Sequence, residues 1–152
     1  MRTIENLDEL ISLTGQEVAV SDWIEVSQEQ VNLFADATGD HQWIHVDVAR
    51  SRHESPYKGT IAHGFLSLSL IPMMLEQTIA MPDVKMALNY GLNKVRFPAP
   101  VRVGSRVRGR ITVAAVEQLG QGGAQVQWNV MLEADGQDKP VCIAELITRR
   151  YT

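Results

Sequence analysis

The stretch from Gly64 to about Ala80 constrains the fold more than any other part of the chain. Phe65, Leu66, Leu68, Leu70, Ile71, Met73, Met74 and Leu75 crowd it, leaving hardly any polar face. A helix of that kind has to be surrounded by protein. Ser67, Ser69 and Pro72 interrupt the run and Glu76 follows it, so it falls short of the roughly 20 apolar residues that a membrane-spanning helix needs. It reads as a buried helix, with Pro72 bending it or marking a weak turn.

The surrounding material comes from the second half, where the period changes. From Val84 onward β-branched residues and alternation take over, with Val95, Phe97 and Val103 leading in. Val107, Ile111 and Val113 then stand opposite Arg106, Arg108, Arg110 and Thr112. Val126, Trp128, Val130 and Leu132 stand opposite Gln125, Gln127, Asn129 and Met131, and Val141, Ile143, Leu146 and Ile147 form the last apolar set. Gly120-Gln121-Gly122-Gly123 and Asp135-Gly136 fall where turns are needed. Three or four long antiparallel strands after one buried helix predict an α+β fold, its sheet wrapped around a long central helix. The 152 residues, 45% of them apolar, suffice for one core and leave no room for a second, so residues 1–152 read as a single domain.

The first half is helical and then irregular. Ile4, Leu7, Leu10, Ile11 and Leu13 recur at helical spacing, with Gly15 as a stop. Val18, Val20, Ile24 and Val26 alternate loosely around Trp23, which predicts a strand. Ser27 with Gln30 matches a capping box, Val31, Phe34 and Ala35 form an apolar stripe, and Gly39 ends this second helix. From Gly39 to Gly59 the chain is polar and broken, a loop region with about one helical turn.

Charge and cysteine usage remove several classes of function. Eighteen acids against 14 Lys and Arg give a net charge of −4, and the first 54 residues hold 11 acids against three bases, the wrong balance for a nucleic-acid binder. Cys142 is the only cysteine, which excludes a disulfide framework, Cys-based zinc sites and CxxC redox chemistry. Charges at Arg2 and Glu5 break any secretory signal, so a reducing cytoplasm without membrane association is expected. No GxSxG elbow, P-loop or dinucleotide fingerprint occurs.

The stretch Phe34-Ala35-Asp36-Ala37-Thr38-Gly39-Asp40-His41-Gln42-Trp43-Ile44-His45 places an acid, Asp40, and an imidazole, His45, five residues apart, behind a glycine able to turn the chain sharply out of a helix. His titrates near neutrality and a neighbouring carboxylate orients it, so the pair suits proton transfer. Taken alone, Asp and His in a polar loop are more often surface or turn-capping residues. The order His41-Gln42-Trp43-Ile44-His45 superficially resembles a zinc-binding HExxH helix, but Gln replaces the general base and Gly39 argues against a continuous helix, so no metal is expected.

This run, followed by Gly59-Thr60-Ile61-Ala62-His63-Gly64-Phe65 and later by Arg96-Phe97-Pro98-Ala99-Pro100-Val101-Arg102-Val103-Gly104, resembles the MaoC-like dehydratases, the (R)-specific enoyl-CoA hydratases of hot-dog fold. The resemblance spans roughly residues 30 to 112 and implies the rest of the reading. Asp40 and His45 become the catalytic pair, holding one water and adding it to a trans-2-enoyl-CoA to give an (R)-3-hydroxyacyl-CoA. The backbone N–H of Gly64 becomes the donor to the thioester oxygen, at a helix start where unpaired N–H groups favour a developing anion. A homodimer is implied, an acyl-CoA thioester is the substrate, and no cofactor is needed because coenzyme A belongs to that substrate. Where the family commonly has Asn-Pro, this chain has Gln42-Trp43, which bears on the shape of the pocket and the acyl chain accepted.

His63 adjoins Gly64 and is expected near the substrate, with a hydrogen bond to backbone as its more ordinary role. Seven basic residues, Lys85, Lys94, Arg96, Arg102, Arg106, Arg108 and Arg110, fall between Val84 and Val116 with no acid among them. Coenzyme A phosphates would be drawn to such a field, with Lys94 and Arg96 favoured as contacts. The other reading is a solvated strand face for Arg106, Arg108 and Arg110. Two competing functions use the same scaffold, a hot-dog acyl-CoA thioesterase and a non-catalytic acyl-CoA-binding subunit.

Overall fold

The computed structural model describes residues 1–152. The chain opens with β1 (Arg2–Thr3), α1 (Leu7–Ser12), β2 (Glu17–Val20) and β3 (Ile24–Glu25). Next come α2 (Gln28–Thr38), α3 (Trp43–Val46), α4 (Val48–Glu54), α5 (Gly64–Ser69) and α6 (Ile71–Thr78). The chain closes with β4 (Ile79–Ala80), β5 (Met86–Arg96), β6 (Arg106–Leu119), β7 (Gly123–Ala134) and β8 (Cys142–Tyr151). The main sheet runs β2-β6-β7-β8-β5, all antiparallel, with β3 also on β6, while β1 and β4 form a separate parallel pair.

Alternation in β6 and β7 sets the core. Val107, Ile111, Val113, Val126, Trp128, Val130 and Leu132 all turn to one face and are buried. Leu66, Leu70, Ile71, Met74 and Leu75 of the central helical segment meet them in one 26-residue cluster. Each such side chain contributes roughly 1.5–3 kcal/mol when fully buried. The central segment is two helices in succession, broken at Leu70, because Pro72 sits in the first turn of α6 and has no N–H for the preceding turn. Phe65 lies outside the core, 69% exposed. No helix is long and apolar enough to cross a membrane.

Several expectations are corrected. The first helix begins at Leu7, because Asn6 caps it by accepting from the Glu9 N–H at 2.9 Å, and Ile4 instead donates its N–H to the Ala80 carbonyl. The strand expected around Trp23 is two pieces, β2 and β3. Between them Ser21 is clamped to Gly109, which accepts from the Ser21 N–H and donates to Ser21 Oγ, each at 2.8 Å. The Gly39–Gly59 loop holds two short helices, α3 and α4. In β8 the buried set is Cys142, Ala144, Leu146 and Thr148, while Ile143 is 45% exposed. Strand pleating decides this: residues two apart share a face whatever their polarity, and Thr148 is tolerated inside because Trp128 Nε1 donates to its hydroxyl at 2.9 Å. Burial pushes the Cys142 thiol up to about 11, so it is inert at neutral pH.

α2 matches its signature. Ser27 Oγ accepts from the Gln30 N–H at 3.2 Å, and Gly39 ends the helix in the left-handed region at φ 80°. The reciprocal arm of the capping box is missing, since the buried Gln30 Oε1 has no partner. Gly39 is the pivot of the site, because it swings the chain from α2 into the turn that carries Asp40.

Candidate active site

Asp40 leaves that turn with its carboxylate exposed, and its Oδ1 accepts from the Gln42 N–H at 3.3 Å. His45 lies on α3 and is only 7% exposed. Its Nδ1 donates to the Ile61 carbonyl at 2.6 Å, which fixes the tautomer and leaves Nε2 as a proton acceptor. Burial pushes His45 below the ordinary imidazole value, with His63 adding to the effect and the Ile61 carbonyl and Asp40 opposing it. His45 is therefore unprotonated at neutral pH and able to act as a base.

The ring stacks on His63, with centroids 3.9 Å apart and planes at 25°. A carboxylate oxygen of Asp40 and one nitrogen from each of the two imidazoles lie within 4.8 Å of one another. One water accepting or donating at about 2.8 Å on each side spans such a gap. His41 is turned away and bound to Asp36 at 2.9 Å, a hydrogen bond that raises its pKa, so the HQWIH stretch does not bring two histidines to one site.

Gly64 is the first residue of α5, and its N–H makes no hydrogen bond within the protein. It lines a cavity of about 300 Å³ with His45, Tyr57, Ile61, Ser67, Phe97 and the segment from Pro98 to Val101. A Cβ on Gly64 would sit 2.9 Å from the Phe97 ring, so only glycine lets that aromatic wall approach the free N–H.

Of the residues singled out in the sequence, Asp40, His45 and His63 converge and Gly64 shares the cavity with His45. Gln42 caps α3 with its side chain exposed, and Trp43 lies beneath the Arg50 guanidinium at 4.2 Å; neither lines the cavity. Lys94 and Arg96 are exposed on β5, where Arg96 donates to the carbonyl of Val95. Arg106, Arg108 and Arg110 are paired with Asp135, Glu133 and Glu17 respectively.

Sequence reasoning missed Gln28 and Thr60. Gln28 Nε2 donates to the His45 carbonyl at 2.8 Å, and its Oε1 accepts from Thr60 Oγ1 at 2.6 Å. Nothing in the spacing of these residues signals contacts across 17 and 32 positions.

Comparison with known proteins decides the family. A family model described as MaoC like domain matches residues 10–134. The chain belongs to the MaoC-like family. This MaoC-like chain is 52% identical over 149 residues to 3-hydroxyacyl-thioester dehydratase Z of Mycobacterium tuberculosis, with 98% of each chain covered. It is 44% identical over 146 residues to Nodulation protein N of Rhizobium leguminosarum bv. viciae, covering 94% of this chain and 89% of that one. The R-hydratase PhaJ1 from Pseudomonas aeruginosa superposes with a TM-score of 0.72 at 25% identity, over 91% of this chain and 81% of that one. The fold is the hot-dog fold and the chain is a hydro-lyase, a hydratase or dehydratase.

Proposed function

We propose that this enzyme interconverts trans-2-enoyl-CoA and (R)-3-hydroxyacyl-CoA. The convergence of Asp40 and His45, with His45 lining the same cavity as Gly64, carries the reading. Water held between carboxylate and imidazole attacks C3 and gives a proton to the pair, with His45 Nε2 as the open acceptor. C2 gains a proton from the same pair, so one molecule of water is added and nothing is oxidised or reduced. The thioester oxygen, enolate-like in the transition state, is met by the Gly64 N–H at the helix start. A donor of this kind is typically worth about 3–4 kcal/mol of barrier. No cofactor enters the reaction, since coenzyme A travels with the substrate.

Lys94 and Arg96 remain our candidates for its phosphates. They precede the Phe97 wall of the cavity and no acid is bonded to either, unlike the arginines of β6. We also propose a homodimer joined along the edge strand β5, whose Met86, Leu88, Tyr90 and Leu92 are 42–57% exposed at alternate positions.

Crotonyl-CoA tests the reading directly. Hydration consumes the enoyl absorbance and gives the (R)-alcohol. Release of free thiol in place of that product would instead establish a thioesterase, and tight binding without turnover an acyl-binding subunit.

A further inference from the structure

His63 is nearly fully buried, 2% exposed, and belongs to neither half of the catalytic pair. Its Nε2 donates to the main-chain carbonyl of Asp40 at 2.9 Å, across 23 positions of sequence. That is the one hydrogen bond made by the Asp40 main chain. One face of the ring stacks on His45, and Phe34 of α2 packs against it with centroids 4.9 Å apart. The residue that follows is Gly64. A single imidazole thus touches the turn carrying the acid and the ring of the base, and belongs to the residue next to Gly64, which lines the cavity. Its Nδ1 is buried with no partner in the protein. An unpaired polar atom inside is unfavourable, and a phenyl ring in the same space would avoid that cost.

We infer that His63 is a positioning residue: through its Nε2 donor it sets the Asp40 turn at the distance from His45 that one shared water requires. The inference rests on the hydratase reading and adds a role to it. A turn fixed by a single long-range hydrogen bond moves when that bond is lost, and small misplacements of a reacting group are expensive in rate.

Two substitutions separate the donor from the ring. His63→Phe keeps an aromatic ring against His45 and Phe34 but removes the donor. His63→Gln removes the ring but places an amide nitrogen close to where Nε2 was. With crotonyl-CoA, the Phe variant is expected to lose at least tenfold in kcat with KM within threefold of the parent and no fall in Tm. The Gln variant is expected to recover most of that loss. Parent-like kcat in the Phe variant would reduce His63 to packing. An equal loss in both variants would mean that the imidazole itself is needed, and either result overturns the inference. If the Phe variant does not fold, His63→Asn replaces it, since the shorter amide cannot reach the Asp40 carbonyl and should lose what Gln retains. Amide hydrogen exchange at His41 and Gln42 gives a readout free of activity. Faster exchange in the Phe or Asn variant than in the Gln variant is expected even if the parent fails to hydrate the ester, and equal exchange overturns the inference. The hydratase reading is judged separately, by turnover of the parent and its loss in Asp40→Asn.

Discussion

The inner face of the sheet and the corner between Gly39 and Ser67 are built by different means. β6, β7 and β8 are held by continuous ladders and by apolar side chains two residues apart, so each contact is repeated many times along the strand. The corner has two short helices and few repeated contacts. It is fixed by isolated hydrogen bonds over long sequence distances: Gln28 to His45, Thr60 to Gln28, His45 to Ile61, and His63 to Asp40. Redundant apolar packing gives stability, whereas single directional bonds give placement, and proton transfer needs placement.

The comparison breaks if substitutions in the corner cost stability, or those in the sheet cost only rate. Asp40→Asn and His45→Gln should produce the largest effects, reducing hydration by about 10²–10⁴-fold while Tm stays within a few degrees. Near-parental turnover in either folded variant would remove the pair from the chemistry. Trp128→Ala should act in the opposite way. It removes a fully buried ring and strands the Thr148 hydroxyl, costing roughly 3–5 kcal/mol in denaturant unfolding, with kcat retained at temperatures where the protein is folded. Gly64→Ala drives a methyl group into Phe97, and kcat should fall about 10–100-fold. Adding Phe97→Leu should return part of that loss, and failure to do so would mean that the contact is not the cause.

The pH dependence sharpens the contrast within the corner itself. Because burial lowers His45 from 6.5, the base stays unprotonated as pH falls through that value, and the acid limb of kcat/KM should lie below it. The unfolded chain takes up the proton there and the folded chain does not. This group's stability contribution is therefore complete above 6.5 and lost as pH falls. A limb at or above 6.5 in rate against pH would contradict the buried assignment. Least affected should be Arg108→Ala on the outer face of the sheet, whose partly buried pair with Glu133 is worth about 1 kcal/mol or less, and less again at high salt.

Legibility in the sequence follows the same division. The strands were readable because pleating makes polarity alternate, and α2 because Ser27 and Gly39 are local signals. β8 is legible only in part, because polarity and pleat disagree at Ile143 and Thr148. Asp40, His45 and Gly64 came from motif resemblance, since a five-residue interval alone does not distinguish a catalytic pair from a polar loop. Trp43 packs beneath Arg50 and does not line the cavity, a placement that no local pattern signals.

The amino-acid order alone determined the class of fold, because hydrophobic period and turn chemistry act over a few residues and need no distant partner. It also determined the chemical groups available, one carboxylate and one imidazole behind a left-handed glycine. Only the tertiary structure decided which arginines are neutralised, how far His45 is buried, and that Gln28, Thr60 and His63 hold the pair. Those are properties of directional contacts between segments far apart in sequence, and no local pattern encodes their distance or angle.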